Sequence, residues 1–407
     1  MSLAATPSLH QVQPALPQVL RLHRQVAEHY SRAMANDERA QAYLAERDIS
    51  PAAARRFGLG FARPAWRDLR GIVSEFADVD VLASGLLVTR DEDLPGTRYD
   101  HFRDRLMFPI RNLAGTVVAF GGRRLEDQAS DLLDPPPKYI NSPETCVFSK
   151  GTMLYGLYEA QEAIAERGMV AVVEGYLDVI STAQAGFGAV AGTLGTACTA
   201  EHLAVLFSLT SHVVFCFDGD KPGREAAARA LQVALPWISR DRTVSFVFLP
   251  DEHDPDSFVR ANGAGALEAA IARAMSPFEL VVDLAQSGCQ LTVLEDRARA
   301  AHFAGSCWAK LPDGALADSL LRYFAALLKF RPEELRALWS KVHTRHRKDP
   351  MSIANETSAD LGGALEYLND LVVGGTEYPE AHWQAIRKFR LSLDEGEELQ
   401  QLYDHQF

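Results

Sequence analysis

Three short apolar runs, each ending in a cluster of acids, constrain this chain more than any other feature. Met169 to Val173 ends in Glu174-Gly175-Tyr176-Leu177-Asp178. Val213 to Phe217 ends in Asp218-Gly219-Asp220. Val244 to Leu249 leads into Asp251 and then Asp254-Pro255-Asp256. Runs this short, rich in β-branched and aromatic residues, predict buried strands. A further short run near Ala189 and a helical pattern from Thr199 to Leu209 separate the first two. A helix from Gly223 to Trp237, capped by Asp220 with Pro222 in its first turn, separates the last two. Such alternation predicts an α/β unit with a mainly parallel sheet. Ligands of these sheets bind beyond the carboxyl ends of the strands, where every one of the acidic clusters falls.

Carboxylates crowded on one rim repel each other and resist desolvation. Hard divalent cations offset that cost, and Mg²⁺ takes carboxylate oxygens together with substrate phosphates and water. Glu174, Asp218 and Asp220 are the expected centre of such a site, with Asp178, Asp254 and Asp256 as further ligands or an outer shell. Asp and Gly after a strand are ordinary turn formers when they occur once; acids after three successive strands call for more. Two ions held this way suit in-line displacement at phosphorus. The arrangement resembles the Toprim fold, shared by bacterial primases, topoisomerases and some nucleases, and the fold alone does not choose among those chemistries.

The chain of 407 residues is long enough for two to four domains. With 47% apolar and 23% charged residues it has the composition of a soluble globular protein. It has no apolar run of about 20 residues that would span a membrane. Its first residues lack the basic start and apolar core of a secretory signal, so a cytoplasmic protein is expected. The five cysteines are scattered with no Cys-x₂-Cys pair, so no zinc is expected. Residues 22–58 read as helical, with a break at Asp48 to Pro51 and Ser50 as N-cap.

From Arg98 the pattern changes to apolar runs split by turn glycines, which predicts a β-meander. Eight Arg or Lys lie between Arg98 and Lys150, in a chain whose formal net charge is -13. A solvated charged face is the ordinary reading of such a run. Here the bases interleave with Tyr99, Phe102, Phe120 and Tyr139, which instead suggests a groove that tracks a nucleic-acid strand: phosphates on the cations and bases on the aromatics.

Tyr99 to Arg111, Gly121-Gly122-Arg123, Pro137 to Thr145, Phe148 to Gly151, Leu154 to Leu157, Glu174 to Asp178, Leu194 to Thr196, Phe217 to Asp220 and Asp254 to Ser257 follow one another as they do in the catalytic core of bacterial DnaG-family DNA primases. The chain resembles that family over about residues 25–335. The resemblance implies an α/β protein, α+β overall, in which a mixed basic subdomain precedes a Toprim parallel sheet and a helical subdomain follows it. The expected boundaries are a loose tail at 1–21, a template-guiding subdomain at 22–165, Toprim at 166–262, a helical subdomain at 263–338 and an acidic tail at 339–407. It implies synthesis of short RNA primers on single-stranded DNA from ribonucleoside triphosphates. Glu174, Asp218 and Asp220 would hold Mg²⁺ or Mn²⁺, with Asp178, Asp254 and Asp256 in support. Arg103, Arg105, Arg111, Arg123, Lys138, Tyr139, Asn141 and Lys150 would bind template and nucleotide, joined by Lys221 and Arg224 at the start of a helix whose N-terminus favours anions.

Two parts of a full-length primase have no counterpart in the sequence: an N-terminal zinc-binding domain and a full helicase-binding domain. From Met351 to Phe407 there are 11 acidic residues against 3 basic ones, and this tail is a candidate contact for the replicative helicase or another replication protein. A monomer is expected. Two rival functions stay open on the sequence: a Toprim nuclease, which uses similar acids with water as nucleophile, and a catalytically weak paralogue that binds single strands or a replication partner.

Overall fold

The computed structural model of the chain describes residues 14–89, 98–125 and 137–343. The chain divides into two units, Met1–Ala354 and Asn355–Phe407; the second, with the expected acidic tail, lies outside the described residues, as does most of the Pro-rich stretch before Pro137.

The first part opens with the helix Leu16–Met34, which buries Val19, Leu22, Val26 and Tyr30. That spacing is one apolar stripe of a helix. The helices Glu38–Glu46 and Pro51–Arg56 follow. Ser50 caps the latter, its hydroxyl accepting from the amide of Ala53 at 3.1 Å. The stripe of the first helix lies on a four-stranded antiparallel sheet built from β1 (Gly60–Ala62), β4 (Arg105–Arg111), β5 (Val117–Arg124) and β6 (Tyr139–Asn141), in that order. A small ladder of β2 (Leu87–Val88) and β3 (Tyr99–Asp100) flanks it. The expected meander thus appears as the β4–β5 hairpin with β6 added. Strand β1 was not expected; three residues are too few for alternation to register.

The second part is a sheet with order β10-β9-β7-β8, parallel at every pairing. Its strands are β7 (Val170–Val173), β8 (Val190–Gly192), β9 (His212–Phe217) and β10 (Thr243–Phe248). All four residues of β7 are buried, as a strand covered on both faces by helices must be. The helix Lys221–Ala234 turns Ala227, Ala230, Leu231 and Ala234 inward, and small residues let it lie close to the sheet. Five helices complete the described chain: Ala264–Ile271, Pro277–Gln286, Leu294–Trp308, Ala315–Leu328 and Pro332–His343. No helix among the described residues is long and apolar enough to cross a membrane.

One apolar cluster runs without a break from Leu44 to Trp339 and draws on all three parts. Three of the expected boundaries fall inside helices: 21/22 in Leu16–Met34, 165/166 in Leu157–Arg167 and 338/339 in Pro332–His343. The boundary 262/263 falls at Gly263, between Pro255–Asn262 and Ala264–Ile271.

Candidate active site

The carboxyl ends of three parallel strands deliver the acids. Glu174 follows β7 directly, Asp218 follows β9, and the turn after β10 carries Asp254. Asp220 caps the helix Lys221–Ala234, accepting from the amide of Gly223 at 2.8 Å. Gly223 has to be glycine: a Cβ there would lie 2.1 Å from the carbonyl oxygen of Asp218. Asp254 likewise caps Pro255–Asn262, through the amide of Ser257 at 2.7 Å.

Glu174, Asp178, Asp218 and Asp254 line a cleft of about 340 Å³. Burial, then the charges of Glu174, Asp254 and Asp220, push the Asp218 carboxyl up to about 6. Burial also raises Glu174; Arg229 opposes the rise and Asp220 adds to it. Asp178 is pushed up to about 7, by burial first and Asp254 next. The rim therefore carries more negative charge than its surroundings solvate. Among the described residues no three acidic, His or Cys side chains are gathered closely enough to hold one ion by themselves. Mg²⁺ does not demand that, since it is commonly held by one or two carboxylates plus substrate phosphates. The donor set, oxygens only, fits such an ion.

The six acids divide by what else they hold. Asp178 accepts from the amides of Gly175 at 2.9 Å and Asp256 at 3.1 Å, and so pins two helix starts together. Asp256 is buried and fully engaged: Arg47 at 3.1 Å, Arg260 at 3.0 Å and the hydroxyl of Ser181 at 2.6 Å all donate to it. Asp220 is exposed and stands outside the cleft lining, at its edge. Glu174, Asp218 and Asp254 remain as the carboxylates facing the cleft with least other duty.

The opposite wall comes from the antiparallel sheet. Arg123 and Lys138 line the cleft with Tyr139 and Asn141. Arg123 is 3% exposed, and its Nε and Nη1 have no hydrogen-bond partner among the described residues. Its guanidinium lies 4.4 Å from the Tyr43 ring centroid and 5.6 Å from that of Tyr139. Arg123 thus brings a positive charge to the cleft wall. Asn141 accepts from the Tyr176 hydroxyl at 2.6 Å and donates to the Leu194 carbonyl at 2.6 Å, which joins the two walls. Burial chiefly, with the charges of Arg103, Arg105 and Lys150, holds His101 below its ordinary pKa.

The other expected bases have different employment. Arg105 is buried and donates to the carbonyls of Gly122 (3.2 Å), Lys138 (3.1 Å) and Pro137 (2.9 Å); it fixes the backbone that presents Lys138. Arg111 pairs with Glu159 and donates to the Arg56 carbonyl, away from the cleft. Lys221 is exposed with Glu225 at 3.9 Å, and Arg224 pairs with Asp283 at 3.0 Å; neither lines the cleft. Arg47 lines it and was missed. It follows the helix Glu38–Glu46, and nothing local marks it, because its partner Asp256 lies 209 residues on.

Two family models match the chain: "DNA primase catalytic core, N-terminal domain" over residues 29–161 and "Toprim-like" over residues 171–259. The chain is 39% identical over 324 residues to a DNA primase of Neisseria meningitidis serogroup A, covering 79% of this chain and 53% of that protein. It is 41% identical over 282 residues to the DNA primase of Escherichia coli K12, covering 68% and 46%. The chain thus spans about half the length of the curated relatives it matches. Among solved structures, a DNA primase domain from Pseudomonas aeruginosa superposes with a TM-score of 0.72 at 40% identity, covering 79% of this chain and 99% of that one. A DnaG primase catalytic domain bound to single-stranded DNA superposes with a TM-score of 0.69 at 36% identity, covering 78% and 98%. The chain belongs to the family of DnaG primase catalytic cores.

Proposed function

We propose that this protein synthesises short RNA primers on a single-stranded DNA template, as a nucleotidyltransferase. One observation carries the reading: a single cleft joins the carboxylates of Glu174, Asp218 and Asp254 to the buried guanidinium of Arg123, whose Nε and Nη1 have no hydrogen-bond partner among the described residues. Nucleotidyl transfer needs that pairing, with phosphate oxygens on the cationic wall and reacting oxygens on the anionic one.

Glu174 and Asp218, with Asp220 and Asp254 beside them, would hold Mg²⁺ or Mn²⁺. Ions bound there would neutralise the triphosphate and favour ionisation of the attacking 3′-hydroxyl. The rest is the work of the chain itself. Arg123 and Lys138 take phosphates of nucleotide or template. Tyr139 and Asn141 shape the wall between them. Asp178, Asp256, Arg47 and Ser181 keep the loop tips at fixed separation, which preserves the geometry on which in-line attack depends. Arg103 and Lys150, around His101, extend the cationic wall along the path of a strand.

The test is primer synthesis by the full chain on mixed-sequence single-stranded DNA, with labelled ribonucleotides and Mg²⁺ or Mn²⁺. A parallel reaction carries a pre-annealed primer, and Asp218→Ala/Asp220→Ala is the control. Metal-dependent short products from the wild type alone support the reading. Cleavage of the template without synthesis points to the nuclease. Strand binding with neither synthesis nor cleavage points to a binding paralogue.

A further inference from the structure

We propose that His253 is a positioning residue for the Asp254 carboxylate: it fixes the turn that presents Asp254 to the cleft, an inference that rests on the metal-dependent part of the reading above. Asp254 is exposed, yet it lines the cleft, and its charge acts on both Asp218 and Asp178. An exposed carboxylate on a turn samples several rotamers unless it is held. A ligand that must first be ordered binds an ion less tightly.

The Ser257 side chain does the holding, and His253 completes it. The Ser257 amide donates to Oδ1 of Asp254 at 2.7 Å, which leaves Oδ2 for the cleft. The Asp254 amide donates to the Ser257 hydroxyl at 3.1 Å. That hydroxyl has one proton, and the Asp254 carbonyl at 3.1 Å takes it. Nδ1 of His253 lies 3.2 Å from the same oxygen and so has to donate to it, which fixes the proton of the imidazole on Nδ1. The hydroxyl is then saturated, with two bonds accepted and one given, and two of the three tie it to the backbone of Asp254. His253 is itself anchored. Its amide donates to the Pro250 carbonyl at 2.9 Å, and its ring meets Phe258 edge-on with centroids 5.8 Å apart. It thus joins the turn after β10 to the first turn of the helix Pro255–Asn262. His253 does not itself line the cleft, so it acts through Ser257. A neighbour of this kind, which orients a ligand without touching the ion, is worth about 10- to 100-fold in metal affinity.

The test titrates Mn²⁺ into the full-length protein and reads the free ion by electron paramagnetic resonance. Wild type, His253→Ala, His253→Asn, His253→Gln and Asp254→Ala are compared. An Asn amide nitrogen reaches the place of Nδ1, and a Gln amide nitrogen reaches that of Nε2. His253→Ala and His253→Gln are expected to bind Mn²⁺ about 10-fold more weakly than the wild type, and His253→Asn to recover most of the loss. The thermal midpoint in EDTA is expected to be the same in wild type and all three His253 variants. Wild-type affinity in His253→Ala overturns the proposal, as does an equal loss in His253→Asn. A metal-free midpoint that falls in step with affinity overturns it too, by marking His253 as a structural residue. So does wild-type affinity in Asp254→Ala, which would remove the carboxylate from the site. Primer synthesis by the wild type is run alongside. If the wild type synthesises and His253→Ala matches it in Mn²⁺ affinity, only the positioning role falls. If the wild type neither binds Mn²⁺ nor synthesises, the primase reading falls with it.

Discussion

A Cβ on Gly121 would lie 2.3 Å from the ring of Tyr176. Strand β5 of the basic wall and the helix that starts after Glu174 meet so closely there that only a hydrogen fits. The Tyr176 ring stacks on Phe108 with centroids 4.7 Å apart, and its hydroxyl reaches Asn141. The two walls of the cleft are registered at this contact.

Gly121→Ala is therefore expected to force the walls apart. Overpacking of a tight contact costs about 1–3 kcal/mol, which a urea titration reads as a lower midpoint at unchanged slope. Primer synthesis is expected to fall further than stability alone explains at temperatures where the variant is folded. Tyr176→Phe, which keeps the ring and removes the bond to Asn141, should cost only about 1 kcal/mol.

Asp218→Asn separates catalysis from folding. Asp218 sits, half-buried, among like charges that raise its pKa, so removing its charge relieves repulsion. Thermal midpoint is expected to stay level or rise. Primer synthesis is expected to drop by about 100-fold or more, if the carboxylate supplies the few kcal/mol typical of metal-assisted phosphoryl chemistry. A fall in stability together with activity would mark Asp218 as a structural acid instead.

Arg123→Gln removes a guanidinium whose Nε and Nη1 have no hydrogen-bond partner among the described residues. Its buried contacts with the Tyr43 and Tyr139 rings are worth about 2 kcal/mol, so the melting temperature should fall by a few degrees while the protein stays folded. Affinity for nucleotide or template phosphate should weaken by about 10- to 100-fold, the worth of a charged hydrogen bond. Filter binding with ribonucleoside triphosphate and with oligonucleotide would tell which of the two Arg123 holds.

His23 makes the fold sensitive to acid. It is fully buried against Phe120, its Nε2 lies 3.0 Å from the Ser84 carbonyl, and its Nδ1 has no partner among the described residues. Burial holds its pKa down at about 4, against an ordinary 6.5. A folded-state value below the unfolded one means that the contribution is complete above about pH 6.5 and is lost as pH falls toward 4. The loss approaches about 3 kcal/mol from this residue alone. In His23→Gln, stability measured by denaturant at pH 7 and at pH 4.5 should differ less than in the wild type. An unchanged difference would show that the imidazole does not set the acid limit.

The acids were legible in the sequence because their positions follow from local rules. A parallel strand ends where its apolar run ends, and the residue after it stands on the rim; Glu174 and Asp218 needed no more than that, and Asp254 caps the helix that follows the third run. The capping roles of Ser50 and Asp220 are equally local, each set within one helical turn. The cleft itself was not legible. Arg105 and Arg123 both read as bases of one strand-tracking groove, yet Arg105 is spent on three carbonyls and Arg123 keeps two nitrogens with no partner among the described residues, because in the β4–β5 register Arg123 stands opposite Leu106 and Arg105 opposite Arg124. Asp256 looked like a ligand until Arg47, 209 residues earlier, took up its charge. Apolar packing continues past the expected boundaries at 165/166 and 338/339, where one cluster holds Ile164 with Val170 and Leu335 with Trp339. The order of the chain determined which residues reach the rim. The tertiary structure decided which of them remain unsatisfied there, since that depends on partners brought together only when distant segments pack.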